Sequence, residues 1–173
     1  MRIPARFLRR EDGTATIEFV LLFMPLFMMM MSGMEAGLLN LRHVMLERGL
    51  DIAMRGVRIG SDIAPTHAGL KTAICENAIL LPECEETLTI EMRRVSKLDW
   101  VMPDAAPTCS DRSEPIKPLA QFRPGLPSEL MVVRACLKAE PIFPTSALGG
   151  MLVKDLSGDY ALIASSAFVN EPK

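Results

Sequence analysis

A chain of 173 residues is long enough for one membrane segment and one small domain, and for little more. Its 19 basic and 21 acidic residues give a net charge of −2, and no basic cluster follows the first ten residues. We therefore expect no nucleic-acid partner. The hydrophobic fraction is 49%, but six of the 13 Met residues fall between Met24 and Met34, which marks that segment as unusually apolar.

The first 13 residues are polar and contain four arginines, so the positive-inside rule predicts that they stay in the cytoplasm. From Phe19 to about Leu41 there are 23 residues interrupted only by Glu35. A helix needs about 20 such residues to cross a hydrocarbon core of about 30 Å. One membrane span over residues 19–41 is predicted, and it carries the rest of the chain outward.

The junction between these two segments has a distinctive order of residues. Gly13 is followed by four residues, then by Glu18 and the aromatic Phe19. A carboxylate at the mouth of an apolar helix is costly in a bilayer, which indicates a function for Glu18. An ordinary secretory signal would place small residues after a shorter apolar core, and residues 31–36 do not supply them. An uncleaved signal anchor is the alternative.

In this order the junction resembles a prepilin leader and, more closely, the TadE-like pilus assembly proteins of the tight-adherence (Flp pilus) system. The resemblance implies that a membrane-embedded prepilin peptidase cuts after Gly13, so that Thr14 becomes the new amino terminus. It also implies that Glu18 of one subunit meets the amine of its neighbour and sets the register of packed helices. Phe19 stands where related pseudopilins often have Tyr.

Three further residues of the apolar helix suggest helix packing. Pro25 removes one backbone hydrogen bond, which either bends the helix for packing or is simply tolerated in a membrane. Gly33 and Gly37 lie four residues apart, a spacing that lets two helices approach closely. Glu35 lies between them, near the outer boundary of the span, and is expected to prefer an interhelical partner to lipid.

The remaining pattern predicts an α+β fold. Apolar residues at spacings of three and four continue the helix over residues 15–59, ended by Gly60 and Pro65. A second, shorter helix is predicted over 66–81. Period-two alternation over 87–92, 130–137 and 160–169 predicts a three-stranded antiparallel sheet. The predicted organisation is thus a leader (1–13), a long helix (14–60) and a pilin-like extracytoplasmic domain (61–173).

The proline-rich stretch 102–128 is predicted to be an irregular loop, either a recognition surface or, as we favour, an ordered connector tied down by Cys109. All four cysteines follow the apolar segment, as expected in an oxidising compartment. Their spacing contains no short pair of the kind that binds zinc, so no metal site is predicted. Three disulfide connectivities are possible. Cys75–Cys84 with Cys109–Cys136 closes the shortest loops and is the predicted one.

No catalytic set is evident in the sequence, because His43 and His67 have no arrangement of nucleophile and acid around them. We expect neither an enzyme, a cofactor nor a small-molecule substrate. The resemblance implies a minor pilin or pseudopilin, held by a single pass in a bacterial inner membrane with a periplasmic domain, or incorporated into a surface pilus. Its expected partners are the peptidase, other pilin subunits, the inner-membrane assembly platform and the bilayer. An uncleaved membrane scaffold of the same apparatus is the second hypothesis.

Overall fold

One long helix, α1 (Thr14–Ile59), contains 46 residues, and the folded domain packs against it. It belongs to a computed structural model that describes residues 14–59, 66–96, 100, 109, 122–123 and 125–170. Arg58 lies in the last turn, where a cation interacts favourably with the carboxyl end of the helix dipole. The predicted long helix is confirmed. Gly60 and Pro65, the residues expected to end it, lie outside the described residues.

Two short helices follow before the sheet. In α2 (His67–Asn77) the Thr66 side chain caps the first turn by accepting a hydrogen bond from the Gly69 N–H at 3.1 Å. The helix ends four residues earlier than predicted, because the Asn77 side chain donates to the Ala73 carbonyl and Leu80 adopts a left-handed conformation. A single further turn, α3 (Cys84–Thr87), precedes the first strand.

Three antiparallel strands form a sheet in the order β1-β2-β3. They are β1 (Thr89–Val95), β2 (Leu130–Ala139) and β3 (Tyr160–Val169). The predicted sheet is confirmed, but β1 begins two residues later than expected. Thr87 belongs instead to α3, where its hydroxyl donates to the Glu83 carbonyl at 3.0 Å. A five-residue helix, α4 (Ala147–Met151), lies in the connection between β2 and β3.

The core lies between the carboxyl-terminal half of α1 and one face of the sheet. Residues that alternate along the strands point to the same face, and Ile90, Ala135 and Ala164 lie side by side across the three strands. Gly49 lets α2 approach α1, because a β-carbon there would come within 2.7 Å of the Ile74 carbonyl oxygen. The largest fully buried side chains of this core are Leu46, Leu50, Leu70, Ile74, Leu88, Ile90, Met92, Met131 and Leu137.

The opposite face of the sheet carries charge and a disulfide. Glu91 lies opposite Arg134 in the β1–β2 register, and the two buried side chains pair at 2.7 Å. Arg93 also pairs with Glu91. Cys136 lies on the same face and is bonded to Cys109, the described residue nearest the middle of the proline-rich stretch. Most of that stretch, predicted as a loop, lies outside the described residues.

Both predicted cysteine pairs are at disulfide distance. The Cα atoms of Cys75 and Cys84 are 5.7 Å apart, and those of Cys109 and Cys136 are 5.4 Å apart. The first bond ties α2 to α3, and the second ties the proline-rich stretch to the central strand.

Replacing Leu50 by Ala is expected to lower the free energy of unfolding by about 2–5 kcal/mol, because Leu50 is buried between α1 and the sheet. Ile52→Ala, on the partly exposed side of the same turn, is the matched control and should cost about 1 kcal/mol or less. Denaturant unfolding in detergent, with the disulfides intact, measures both. Equal losses would mean that α1 is not packed on the sheet.

Peptide mapping without reduction should recover two linked pairs, Cys75 with Cys84 and Cys109 with Cys136. Loop-closure entropy predicts that loss of either bond costs about 3 kcal/mol of stability. Four free thiols, or the crossed connectivity, would contradict the structure.

Candidate functional site

The amino-terminal half of α1 has no cover from the rest of the described chain. Every residue from 15 to 30 is exposed, although the segment is almost entirely apolar. Among the described residues, α1 is the one helix long and apolar enough to cross a membrane. A surface this apolar needs lipid or another protein around it.

Three phenylalanines form a ridge along this exposed segment. Phe19 stacks on Phe23 with ring centroids 5.3 Å apart, and Phe23 stacks on Phe27 at 5.7 Å. Four-residue spacing on a helix brings such side chains together on one side. Glu18 precedes the first ring and is exposed. Glu18 and Phe19, the residues predicted to set the register, therefore lie at the start of this aromatic ridge.

The proline and glycines predicted to pack against a second helix are all exposed on α1. Gly13 is outside the described residues, and Thr14 is the first residue of α1. The helix continues through Pro25, which is exposed. Gly33 and Gly37 are exposed as well, and a β-carbon at either would meet nothing within 4 Å. Their surface is open to a second helix, and no helix of the described chain occupies it.

Glu35 marks the point where the domain begins to cover α1. Its side chain is 1% exposed. Its two carboxylate oxygens accept hydrogen bonds from the backbone N–H groups of Ile142, at 3.2 Å, and Phe143, at 2.7 Å. Sequence reasoning expected an interhelical partner for Glu35. The structure gives it partners within its own chain, in the connection between β2 and β3.

A second contact joins the helix to the same connection two turns further on. The Arg42 guanidinium donates to the Glu140 carbonyl at 2.9 Å and to the Tyr160 hydroxyl at 2.7 Å. Burial raises the pKa of Tyr160, and the nearby Arg42 partly opposes that shift. Sequence reasoning missed Arg42. The signal was available, since it is the first basic residue after the apolar segment.

The two histidines lie on different elements, His43 on α1 and His67 at the start of α2. His43 pairs with Glu47 at 3.3 Å on an exposed turn of α1. His67 packs edge-on against Phe122, and burial together with Lys71 lowers its pKa. Within the part of the chain that the structure describes, no three His, Cys, Asp or Glu side chains are placed to hold a metal ion. Gly149 and Gly150 lie in α4.

A groove of about 480 Å³ lies at the edge of β1, where the strand meets the segment before β2. Its charged lining consists of Arg93, Arg94, Arg123 and Glu129. Arg94 pairs with Glu129 at 2.7 Å, and Glu129 also accepts from the Leu126 N–H at 2.9 Å. These contacts, first the backbone hydrogen bond and then Arg94, lower the pKa of Glu129. The Arg94–Glu129 ion pair therefore joins β1 to the segment before β2 at this groove.

Residues 13–55 match the family model described as TadE-like protein. By this match, α1 is TadE-like. The resemblance read from the amino-terminal junction is confirmed over this part of the chain, which includes both the exposed half of α1 and most of its packed half. The comparisons with curated proteins and with solved structures found no match.

The TadE-like match indicates a role in assembly of the Tad pilus. Proteins of this family are structural components rather than enzymes, and their role implies contact with other pilus components. The exposed apolar half of α1 agrees with a membrane-associated pilus protein. The sheet and both disulfides lie beyond residue 55, outside the matched segment.

Replacing Glu35 by Ala should loosen the attachment of the β2–β3 connection to α1. Two backbone N–H groups lose their acceptor, at a cost of about 1–3 kcal/mol. Hydrogen exchange at the amides of Ile142 and Phe143 should accelerate in this variant. Glu35→Gln, which keeps one carbonyl oxygen, should accelerate it less. Glu47→Ala, at an exposed position of α1, is the control and should leave both amides unchanged.

Unchanged exchange in Glu35→Ala would show that the two hydrogen bonds do not hold the connection in place.

Proposed function

We propose that this protein is a minor pilin or pseudopilin of a tight-adherence pilus, processed after Gly13. The observation that carries the proposal is the division of α1 into two halves. Residues 15–30 present an apolar surface with no cover from the described chain, and the later residues form the core of a folded domain. A subunit built in this way can move its exposed half from lipid to the helices of neighbouring subunits without unfolding its domain.

Glu18 gives this exposed half a polar anchor near its start. In the proposed mature protein the Thr14 amine lies one helical turn before it. Both charges then lie near the hydrocarbon boundary, where an unpaired carboxylate costs less than the roughly 3 kcal/mol that it costs at the bilayer centre. When exposed apolar halves pack together, the pairing of Glu18 with the amine of a neighbour favours one axial register over the others. The aromatic ridge beginning at Phe19 supplies the apolar contact beside that pair.

The proposed topology places residues 1–13 in the cytoplasm and the domain in the periplasm. Arginines at the start of the chain support this orientation, since basic residues favour the cytoplasmic side. The two disulfides agree with it, because such bonds persist in oxidising compartments. The proposed partners are the prepilin peptidase, other pilin or pseudopilin subunits and the inner-membrane assembly platform.

An uncleaved scaffold of the secretion apparatus would use the same helix as a permanent anchor. It would keep Gly13 joined to Thr14, so that no amine would be available to Glu18. The state of this one peptide bond therefore separates the two hypotheses.

Protein from a host that has the peptidase should begin at Thr14, as determined by intact mass and amino-terminal sequencing. Gly13→Leu should abolish processing, because a bulky side chain obstructs the peptidase subsite at the cleaved bond. Gly33→Leu is the matched control. Its position has open space around it and lies 20 residues away, so cleavage should proceed normally. Wild-type protein that retains Met1 would favour the scaffold.

Glu18→Ala should insert, be processed and fold normally, yet fail to join pilus complexes. The expected loss of register preference is at most about 3 kcal/mol, because the neighbouring charge is left unpaired near the hydrocarbon boundary. Crosslinking to partner subunits, together with counts of surface pili, measures this loss in cells that contain stable, cleaved variant. Glu47→Ala, an exposed carboxylate of the same helix, should behave as wild type.

Normal crosslinks and normal pili in Glu18→Ala would mean that Glu18 is an ordinary carboxylate at headgroup level. The thermal transition of the domain should be the same in both variants, which excludes misfolding as the cause of any loss.

A further inference from the structure

We propose that the β2–β3 connection, residues 140–159, is a second membrane contact that docks on the outer surface of the bilayer. Its apolar side chains Ile142, Met151, Val153 and Leu156 would enter the boundary between headgroups and acyl chains. The proposal rests on the topology given under the proposed function, and it takes the exposed residues before Glu35, rather than residues 19–41, as the part of α1 that lies within the bilayer. It adds a lipid-binding surface within the folded domain.

The sequence of this connection is unusual for a loop between two strands. Residues 141–153 contain no charged side chain, although Glu140 precedes them and Lys154 follows. Loops on a water-exposed surface are usually rich in polar residues, because they must solvate their own backbone. An uncharged run of this kind is compatible with an interface between water and lipid.

Part of this apolar content is used inside the protein. Leu152 packs against the core, and Phe143 is half-buried. Gly149 allows α4 to lie against the preceding turn, since a β-carbon there would overlap the Phe143 carbonyl group. Ser146 caps α4 by accepting from the Gly149 N–H at 3.0 Å. The connection is therefore a folded element with an inner and an outer side.

The outer side is apolar, and no residue of the described ranges covers it. Met151 is 83% exposed, Val153 91% and Leu156 96%. Ile142 is also exposed. Leu156 lies in a tight turn, in which the Asp155 N–H donates to the Asp159 carbonyl at 2.9 Å. The Asp155 carboxylate pairs with Lys138 on β2, so the charge next to this apolar tip is compensated.

The contacts with α1 fix the level of the connection relative to the membrane. Arg42 binds Glu140, at the start of the connection, and Tyr160, just after its end. Glu35 lies about two turns closer to the amino terminus of α1 and binds Ile142 and Phe143. The chain therefore approaches the apolar half of α1 as it leaves β2. The α4 helix packs against α1 as well, and Met31 and Ser32 are the first partly buried residues along the helix.

The length of the exposed part of α1 places the outer surface of the bilayer at the level of the β2–β3 connection. Residues 15–34 span about 30 Å at about 1.5 Å per residue, which equals the hydrocarbon thickness. The outer boundary then falls at Glu35, beside the connection. Interfacial elements bury their apolar face about 5–10 Å below the headgroups. This coincidence of level favours lipid over a second protein copy as the occupant of the surface.

Site-directed spin labelling of the full chain in vesicles of phosphatidylethanolamine and phosphatidylglycerol tests the proposal. Single cysteines are introduced as Leu156→Cys, Leu126→Cys and Met29→Cys. The four native cysteines are joined in the two disulfides, so each new thiol can be labelled selectively. Leu126 is 67% exposed and precedes β2 at its opposite end, about 30 Å away along the strand. Met29 reports on the proposed span.

We expect the label at position 156 to be accessible to oxygen, which concentrates in the bilayer. We also expect it to be several-fold less accessible to a water-soluble nickel complex than the label at position 126. The label at Met29 should be deeper still. A label at Leu156 as accessible to nickel as that at Leu126, with Met29 deep in the bilayer, would overturn the docking proposal and leave the proposed function standing. Nickel accessibility at Met29 would instead contradict the membrane span itself.

Contact with a second copy has its own signature. A label at Leu156 that is shielded from both oxygen and nickel, and that becomes accessible on dilution of protein into excess lipid, would show a protein partner and overturn the proposal. Protection that is independent of the protein-to-lipid ratio supports it.

Discussion

The structure depends on how one helix is divided between two environments. Up to residue 30, α1 exposes an apolar surface, and from Glu35 onward one side of it is covered by the domain. Two backbone hydrogen bonds to the Glu35 carboxylate join the helix to the β2–β3 connection at this division. A buried carboxylate is tolerated only with such partners. The bonds therefore fix where the domain sits along the helix.

This division explains why so small a domain can fold. The sheet has three strands, and its core is completed by Leu46, Leu50, Ala53 and Met54 from α1. Packing of the apolar face of a small sheet against a helix adds the buried area that a small domain needs. The helix that carries the TadE-like match is thus both the candidate membrane anchor and a contributor to the core. The disulfides then tie α2 to α3 and the proline-rich stretch to the central strand.

Sequence patterns predicted the long helix and the sheet because apolar periodicity is a local property that burial imposes along each element. Boundaries at Asn77 and Thr87 were missed, since side-chain hydrogen bonds to nearby carbonyls decide them. The partners of Glu35 and Arg42 could not be predicted, because they lie about 100 residues away. The sequence indicated that a carboxylate at position 35 is costly near lipid. Only the fold shows that the backbone N–H groups of Ile142 and Phe143 offset this cost. The cleavage and register roles of Gly13, Thr14, Glu18 and Phe19 stay predictions.

Hydrogen exchange on the full chain in lipid nanodiscs, followed through low concentrations of denaturant, tests the division of α1 most directly. Amides in residues 39–57 should exchange with the same opening free energy as those of β2 and β3, because they unfold with the core. Amides in residues 15–30 should stay protected by lipid after the sheet has opened. If residues 15–30 lost protection together with the sheet, or if residues 39–57 exchanged independently of it, α1 would not be divided as described.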